Sequence, residues 1–169
     1  WLLKILGYQG LSMRELVPYL DGQKIGKVVG ITFDDGYQNI LVNAAPILKK
    51  YKFSATCYLV SHRIGSSNTW DQDKGIKSQK LMDKIEIEEW LNLGLEIGAH
   101  SQTQKILNDL HKHQAKDEIL NCKTELEHIF KVSIDHFCYP FGEFNDALVN
   151  ITQRAGYRTA ATMIRGRAT

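Results

Sequence analysis

Short apolar runs, each followed by an amphipathic stretch of helical period, recur about four times along this chain. That alternation narrows the fold more than any other feature. Strands that return through helices lie parallel, because a hairpin cannot join them. The order β-α, repeated, therefore predicts an α/β domain built on a parallel sheet or barrel with helices outside. "KVVGITF" (27–33) reads as a buried strand, and "NAAPILKKY" as a helix that begins close to Pro46 and ends near Tyr51. "FSATCYLVS" is a second buried strand, rich in β-formers. "KIEIEEWLNLG" reads as a helix with Gly94 as its C′ residue, and "LEIGAHS" as a short strand. The run from Ile106 to Phe130 is mostly helical, with Leu110, Ile119, Leu120, Leu126 and Ile129 on its inner face. "IDHFCYPFG" is another strand, "DALVNITQRAG" a helix closed by Gly156, and "RTAATMI" the last strand. Ahead of these, "MRELVPYL" reads as a short amphipathic helix capped by Ser12. His62 to Met82, rich in Gly, Ser, Asn and Asp, is the longest irregular segment.

The length of 169 residues suits one domain with its own core. A formal net charge of +2 is too small to imply nucleic acid or a membrane surface as partner, and no apolar run reaches the length of a transmembrane helix. The N-terminal "WLLKILGYQG" lacks the basic region and cleavage site of a signal peptide. The chain opens on Trp1 rather than Met, so further sequence upstream is expected and the compartment stays open. The three cysteines, Cys57, Cys122 and Cys138, are odd in number and widely spaced, which argues against a disulfide framework. Cys57 and Cys138 lie in apolar runs and read as small buried hydrophobes. No feature sets an oligomeric state.

In parallel α/β folds the functional site gathers at the C-terminal ends of the strands. Three polar clusters obey that rule: "DDG" (34–36), "HSQTQ" (100–104) and "YPFG" (139–142) each follow an apolar strand. Taken singly, each has an ordinary reading. Asp34-Asp35-Gly36 can be an Asp-Gly turn capping the next helix, or one carboxylate can hold a cation while the other takes a proton, with Gly36 letting the backbone bend. His100 and Gln104 are four apart, a common ligand spacing on a helical turn; the segment can equally be a helix start capped by Ser101. Pro140 and Gly142 make a rigid turn that can also aim a backbone N–H into the site.

"TFDDGY", "GAHSQTQ" and "CYPFG", in that order, resemble the polysaccharide deacetylase family, the carbohydrate esterase group named for the NodB chitooligosaccharide deacetylase. "APILKKYKFSATCYLVS", "LGLEIGAHS" and "AGYRTAAT" are similar to it as well, so the likeness runs from about Gly7 to Thr162. The subgroup resembled is that of exopolysaccharide and poly-N-acetylglucosamine deacetylases. The resemblance implies a distorted (β/α) barrel, a single domain over 1–169 that is truncated at one or both ends, and removal of acetyl groups from an N-acetylated polysaccharide. It implies one divalent metal, zinc by preference, with manganese, cobalt or magnesium as harder alternatives. It also implies a place at the cell envelope, outside the cytoplasm.

Carried over by position, the likeness makes Asp34 the general base and Asp35 the metal carboxylate, with His100 the first metal histidine and the Phe141 N–H an oxyanion donor. Tyr37, Trp70, Tyr139, Pro140 and Phe144 are candidates for sugar contacts. Three departures stand out. Gln104 falls where the family has a second metal histidine, and an amide oxygen is a weaker zinc ligand than imidazole. Cys138 falls where the family often has an arginine. The chain also stops at Thr169, before any late histidine that could serve as general acid. A domain that has lost its metal and only holds glycan or a protein partner is therefore the rival reading. His62 is a remote substitute ligand, and His111 and His113 read as part of a solvated helix.

Overall fold

A computed structural model of the chain describes residues 1–164; the last five residues of the 1–169 domain lie outside that description. Five strands form one all-parallel sheet in sequence order: β3 (Thr32–Phe33), β4 (Thr56–Leu59), β5 (Glu96–Ala99), β6 (His136–Cys138) and β7 (Thr159–Ala161). After a short N-terminal α1 (Leu2–Ile5), β1 (Gln9–Leu11) and β2 (Val28–Gly30) form a separate parallel pair, connected through α2 (Met13–Leu20). Ile31 stitches the two sheets together: its N–H donates to the Leu11 carbonyl at 2.9 Å and its own carbonyl accepts from the Thr56 N–H at 3.0 Å. The result is a curled half-barrel, as the β-α alternation requires.

The 27–33 strand expected from the sequence is therefore two strands in two sheets. Its residues are half-buried or exposed rather than buried, because β3 is the edge of the five-stranded sheet and has one strand neighbour. The α-helix at Pro46 begins where its proline suggests, at Ala45. α3 (Ala45–Tyr51) is preceded by a π-helical turn over Ile40–Ala44, in which the Ala45 N–H reaches back to the Ile40 carbonyl. Pro46 has no N–H to continue a regular i−4 ladder, and the wider turn absorbs the gap.

α4 (Lys84–Asn92), α5 (Lys112–Phe130) and α6 (Asp146–Arg154) cover the sheet. Trp90, Ile97, Ile119, Leu126 and Phe137 are fully or almost fully buried between them. On α5 the buried apolar positions are Ala115, Ile119, Cys122, Leu126 and Phe130, steps of three or four that make one face. Leu110 and Ile129 pack at its margin, whereas Leu120 is half-exposed, one position off the stripe.

At the N-terminal end of the strands a polar layer ties α2 to the sheet. The buried Glu96 carboxylate accepts from the Thr56 hydroxyl at 2.6 Å and from the Arg14 N–H in the first turn of α2 at 3.0 Å. The Met13 N–H donates in turn to the Thr56 hydroxyl at 2.8 Å. His136 lies 3.5 Å from the other Glu96 oxygen. Burial depresses the His136 pKa, although Glu96 pulls it the other way. Glu96→Ala strands these donors in a buried place and should lower the unfolding free energy by about 3 kcal/mol, read as a reduced urea midpoint with an unchanged slope.

Candidate active site

The β3 strand ends at Phe33, and the chain then turns sharply. Asp35 and Gly36 both take left-handed backbone angles, φ 68° and 78°, and the Gly36 N–H closes on the Asp34 carbonyl at 2.9 Å. The bend suspends the alternation of a strand, so both aspartates border the same cleft. A side chain on Gly36 would also meet Leu59 Cδ2 at 2.7 Å.

His100 follows β5, its backbone N–H bonded to the Leu59 carbonyl at 2.9 Å. Its ring is buried, and Nδ1 lies 2.7 Å from the Cys138 carbonyl. A carbonyl only accepts, so Nδ1 carries the proton and Nε2 is left bare. That Nε2 lies 3.5 Å from Asp35 Oδ1. The loop after His100 is not the helical turn that the i, i+4 spacing suggests: Ser101 and Gln104 hold φ of 64° and 63°. Two carboxylates of α5 shape it. Glu118 accepts from the Gln102 N–H, the Thr103 N–H and the Thr103 hydroxyl. Glu125 accepts from Ser61, His62 and the Gln102 amide. Burial opposes ionisation of Glu125, but these donors outweigh it and hold its carboxyl below the usual range.

Gln104 reaches back so that its Nε2 donates to Asp35 Oδ1 at 2.8 Å and lies 3.2 Å from His100 Nε2. Its Oε1 is buried without a hydrogen-bond partner among the described residues. Burial raises the Asp35 pKa, and the neighbouring Asp34 charge adds to it. Tyr37 hydrogen-bonds Asp35, and burial followed by the Asp35 charge pushes its phenol up to about 12. Asp34, by contrast, is exposed. The buried Cys138 thiol lies close to it, hydrogen-bonded to the Tyr139 carbonyl at 3.9 Å, and burial and the Asp34 charge raise its pKa.

The third wall is the turn after β6. Phe141 and Gly142 are left-handed at φ 58° and 71°, and a Cβ on Gly142 would collide with Met163 at 2.6 Å. The cleft, about 240 Å³, is lined by Asp34, Asp35, His100, Gln104 and Phe141, together with Trp70, Asp71, Tyr139, Gly142 and Met163. A larger hollow of about 670 Å³ beside His111, Lys112, His113, Lys116 and Ile151 has no carboxylate in its lining.

Trp70 thus borders the cleft. Tyr139 borders it too, but its ring is almost wholly buried, stacked at 5.5 Å on Phe144, with its hydroxyl donating to Thr152. Tyr37 and Pro140 are not in the lining; Tyr37 holds Asp35 and Pro140 is buried in the turn. His62 is engaged by Glu125 and Gln102 outside the cleft. Asp71, Met163, Glu118 and Glu125 have no counterpart in the sequence reading. Glu118 alone carries a signal, a charged residue within the apolar stripe of α5.

The donor set that the resemblance implies for a metal is Asp35, His100 and Gln104. The three converge, yet the Gln104 NH₂ points into the space between carboxylate and imidazole. It satisfies both by hydrogen bonds where a cation would satisfy both by coordination. As oriented, this trio does not fit a metal ion. A second group is also present: ligand atoms of Asp34, His100 and Cys138 all lie within 4.8 Å of one another.

Residues 21–160 match the profile of the polysaccharide deacetylase family, and the chain belongs to that family. It is 28% identical over 158 residues to a poly-beta-1,6-N-acetyl-D-glucosamine N-deacetylase of Staphylococcus aureus (strain MRSA252), across 88% of this chain and 52% of that protein. Among solved structures it is similar to the Streptococcus pyogenes deacetylase PplD in complex with acetate, with TM-score 0.82 and 25% identity over 97% of this chain and 69% of that one. It shares the fold of IcaB from Ammonifex degensii, with TM-score 0.84 and 20% identity over 95% and 71% of the two chains. The chain spans about half the length of the curated relatives it matches.

The raised Asp35 pKa sets a stability test. A carboxyl whose folded pKa lies above its unfolded value of 3.8 weakens the fold once it ionises. The penalty is absent below that value, grows as pH rises through the folded pKa and is complete above it. Asp35→Asn keeps an oxygen for the Gln104 amide, so it should raise Tm at pH 7 and lose that advantage below about pH 4, measured by thermal melts across pH.

Proposed function

We propose that this chain removes acetyl groups from an N-acetylated polysaccharide of the N-acetylglucosamine type. The observation that carries the reading is the convergence of an exposed carboxylate, Asp34, with Asp35, His100 and the left-handed Phe141 turn around one cleft. The name of the Staphylococcus aureus relative points to the same substrate class.

The chemistry divides between the two aspartates. Asp35 is tied by Tyr37 and Gln104, so Asp34 is the carboxylate with room to take a proton from an attacking water. The backbone N–H of Phe141 is the donor for the oxyanion that forms as water adds to the acetamide carbonyl. Trp70 at the rim and Phe144, 37% exposed, offer flat faces to pyranose rings. A bound divalent metal supplies Lewis acidity in such sites; here Gln104 stands in its place, so no step is assigned to it. The same reading assigns the domain to the cell envelope, outside the cytoplasm. No helix among the described residues is long and apolar enough to cross a membrane.

The Gln104 contacts favour a second reading, a deacetylase-like domain that holds glycan without hydrolysing it. Acetate release from N-acetylglucosamine oligomers, assayed alone and with added Zn²⁺, Co²⁺ or Mn²⁺, separates the two. Hydrolysis that falls at least about 100-fold in Asp34→Asn supports the base assignment; activity that survives this change removes it. Oligomer binding with no acetate under any condition decides for the holding domain. Gln104→His should increase both zinc retention and rate.

A further inference from the structure

We propose that Asp71 is a specificity-determining residue of the cleft, a carboxylate that receives the ammonium of a glucosamine unit and so favours glycan chains that already carry amines. That the ligand is a glycan rests on the proposed function; the charge preference goes beyond it.

The cleft lining is rich in acceptors and poor in positive charge. Asp34, Asp35 and Asp71 bring three carboxylates, and none of the described lining residues is a lysine or arginine. His100 is neutral, with Nδ1 donating to the Cys138 carbonyl and Nε2 facing the Gln104 amide N–H. The lining atom left unsatisfied is an acceptor as well. Gln104 is only 5% exposed, and its Oε1 has no hydrogen-bond partner among the described residues. A ligand complementary to this lining brings positive charge together with N–H donors. A neutral sugar brings donors alone, whereas a protonated amino sugar brings both.

Asp71 is held in the wall by a built support. The excursion after β4 folds back on the segment that follows the two aspartates. Tyr37 and Leu81 form an antiparallel bridge, the Gln38 N–H donates to the Lys80 carbonyl at 2.9 Å, and the Met82 N–H donates to the Gly36 carbonyl at 2.8 Å. Asn68, buried, stands at the start of the short helical turn Thr69–Lys74. Its Oδ1 accepts from the Gln79 N–H at 2.6 Å, and its Nδ2 donates to Asp71 Oδ2 at 3.2 Å. Trp70, the preceding residue, lines the same cleft and offers a flat face to the pyranose ring. Burial first, then the charges of Asp34 and Asp71, oppose ionisation of Asp35. An ammonium in the cleft offsets that crowding of negative charge, and a neutral sugar does not.

The amine is what removal of an acetyl group leaves behind. On the hydrolase reading, a chain with one unit already converted is held better than a fully acetylated one, and converted units cluster along the polymer.

The test is calorimetric titration of the full chain with two tetramers, one of glucosamine and one of glucose. Both carry the β-1,6 linkage named for the Staphylococcus aureus relative, and the pH is mildly acidic so that the amines are protonated. Neither tetramer has an acetyl group, so binding is read without turnover. The glucosamine tetramer should bind about fivefold more tightly or better, and added NaCl should shrink the margin. Asp71→Asn keeps an oxygen for the Asn68 amide and removes the charge. It should weaken binding of the glucosamine tetramer about fivefold and leave the glucose tetramer unaffected. Asp71→Ser is the second charge-removing variant where Asp71→Asn does not fold. Equal affinity of the wild type for the two tetramers overturns the inference, and so does a preference that survives loss of the Asp71 charge. Acetate release from N-acetylglucosamine oligomers in those cases leaves the proposed function standing. Failure of both tetramers to bind, with no acetate released, defeats the glycan reading and the inference with it.

Discussion

Parallel strands deliver all their C-terminal ends to one edge, and a chain leaving that edge toward an outer helix carries its side chains away from the centre. Placing several polar groups in one cleft there requires backbone turns that ordinary residues resist. Among the described residues six non-glycine positions have positive φ. Two of them, Lys52 and Lys131, close α3 and α5 in the usual left-handed cap. The other four, Asp35, Ser101, Gln104 and Phe141, lie at the cleft or in the loop that forms its wall. Each costs on the order of 1–2 kcal/mol. The surrounding contacts hold them in place: the Gly36–Asp34 closure, the carboxylate grip of Glu118 and the packing of Met163 on Gly142.

The same turns make two adjacent aspartates unequal. Asp35 is drawn inward, where burial opposes its charge and Tyr37 and Gln104 supply hydrogen bonds. Asp34 stays exposed, close to the Cys138 thiol. The amide of Gln104 gives Asp35 and the bare nitrogen of His100 a shared neutral partner. The buried Gln104 Oε1, left without a partner, marks this arrangement as a compromise rather than a fully satisfied network.

Much of this was legible in the sequence because parallel α/β architecture writes itself as alternating periods. The strands β4 to β7 and the helices α4 to α6 all fall inside the runs read as strands and helices. What was not legible depended on contacts distant in sequence. β1 is three residues long, too short to show a period. The split of 27–33 at Ile31 follows from a change of partner strand, which no local pattern records. His100 and Gln104 have helical spacing, but the loop that carries them is bent by carboxylates from α5, so the two meet through left-handed backbone instead. Cys138 reads as an apolar filler and is indeed buried; its closeness to Asp34 exists only because β3 and β6 share a sheet.

The grip of α5 on the 101–104 loop separates two properties that could have been entangled. Glu118 and Glu125 stand seven residues apart on one helix, and between them they bond Ser61, His62, Gln102 and Thr103. The Gln104 side chain contributes nothing to that clasp. The loop is therefore held by contacts that do not involve the side chain at position 104. A lineage can exchange the group offered to the cleft there in a single step, without rebuilding the scaffold that displays it.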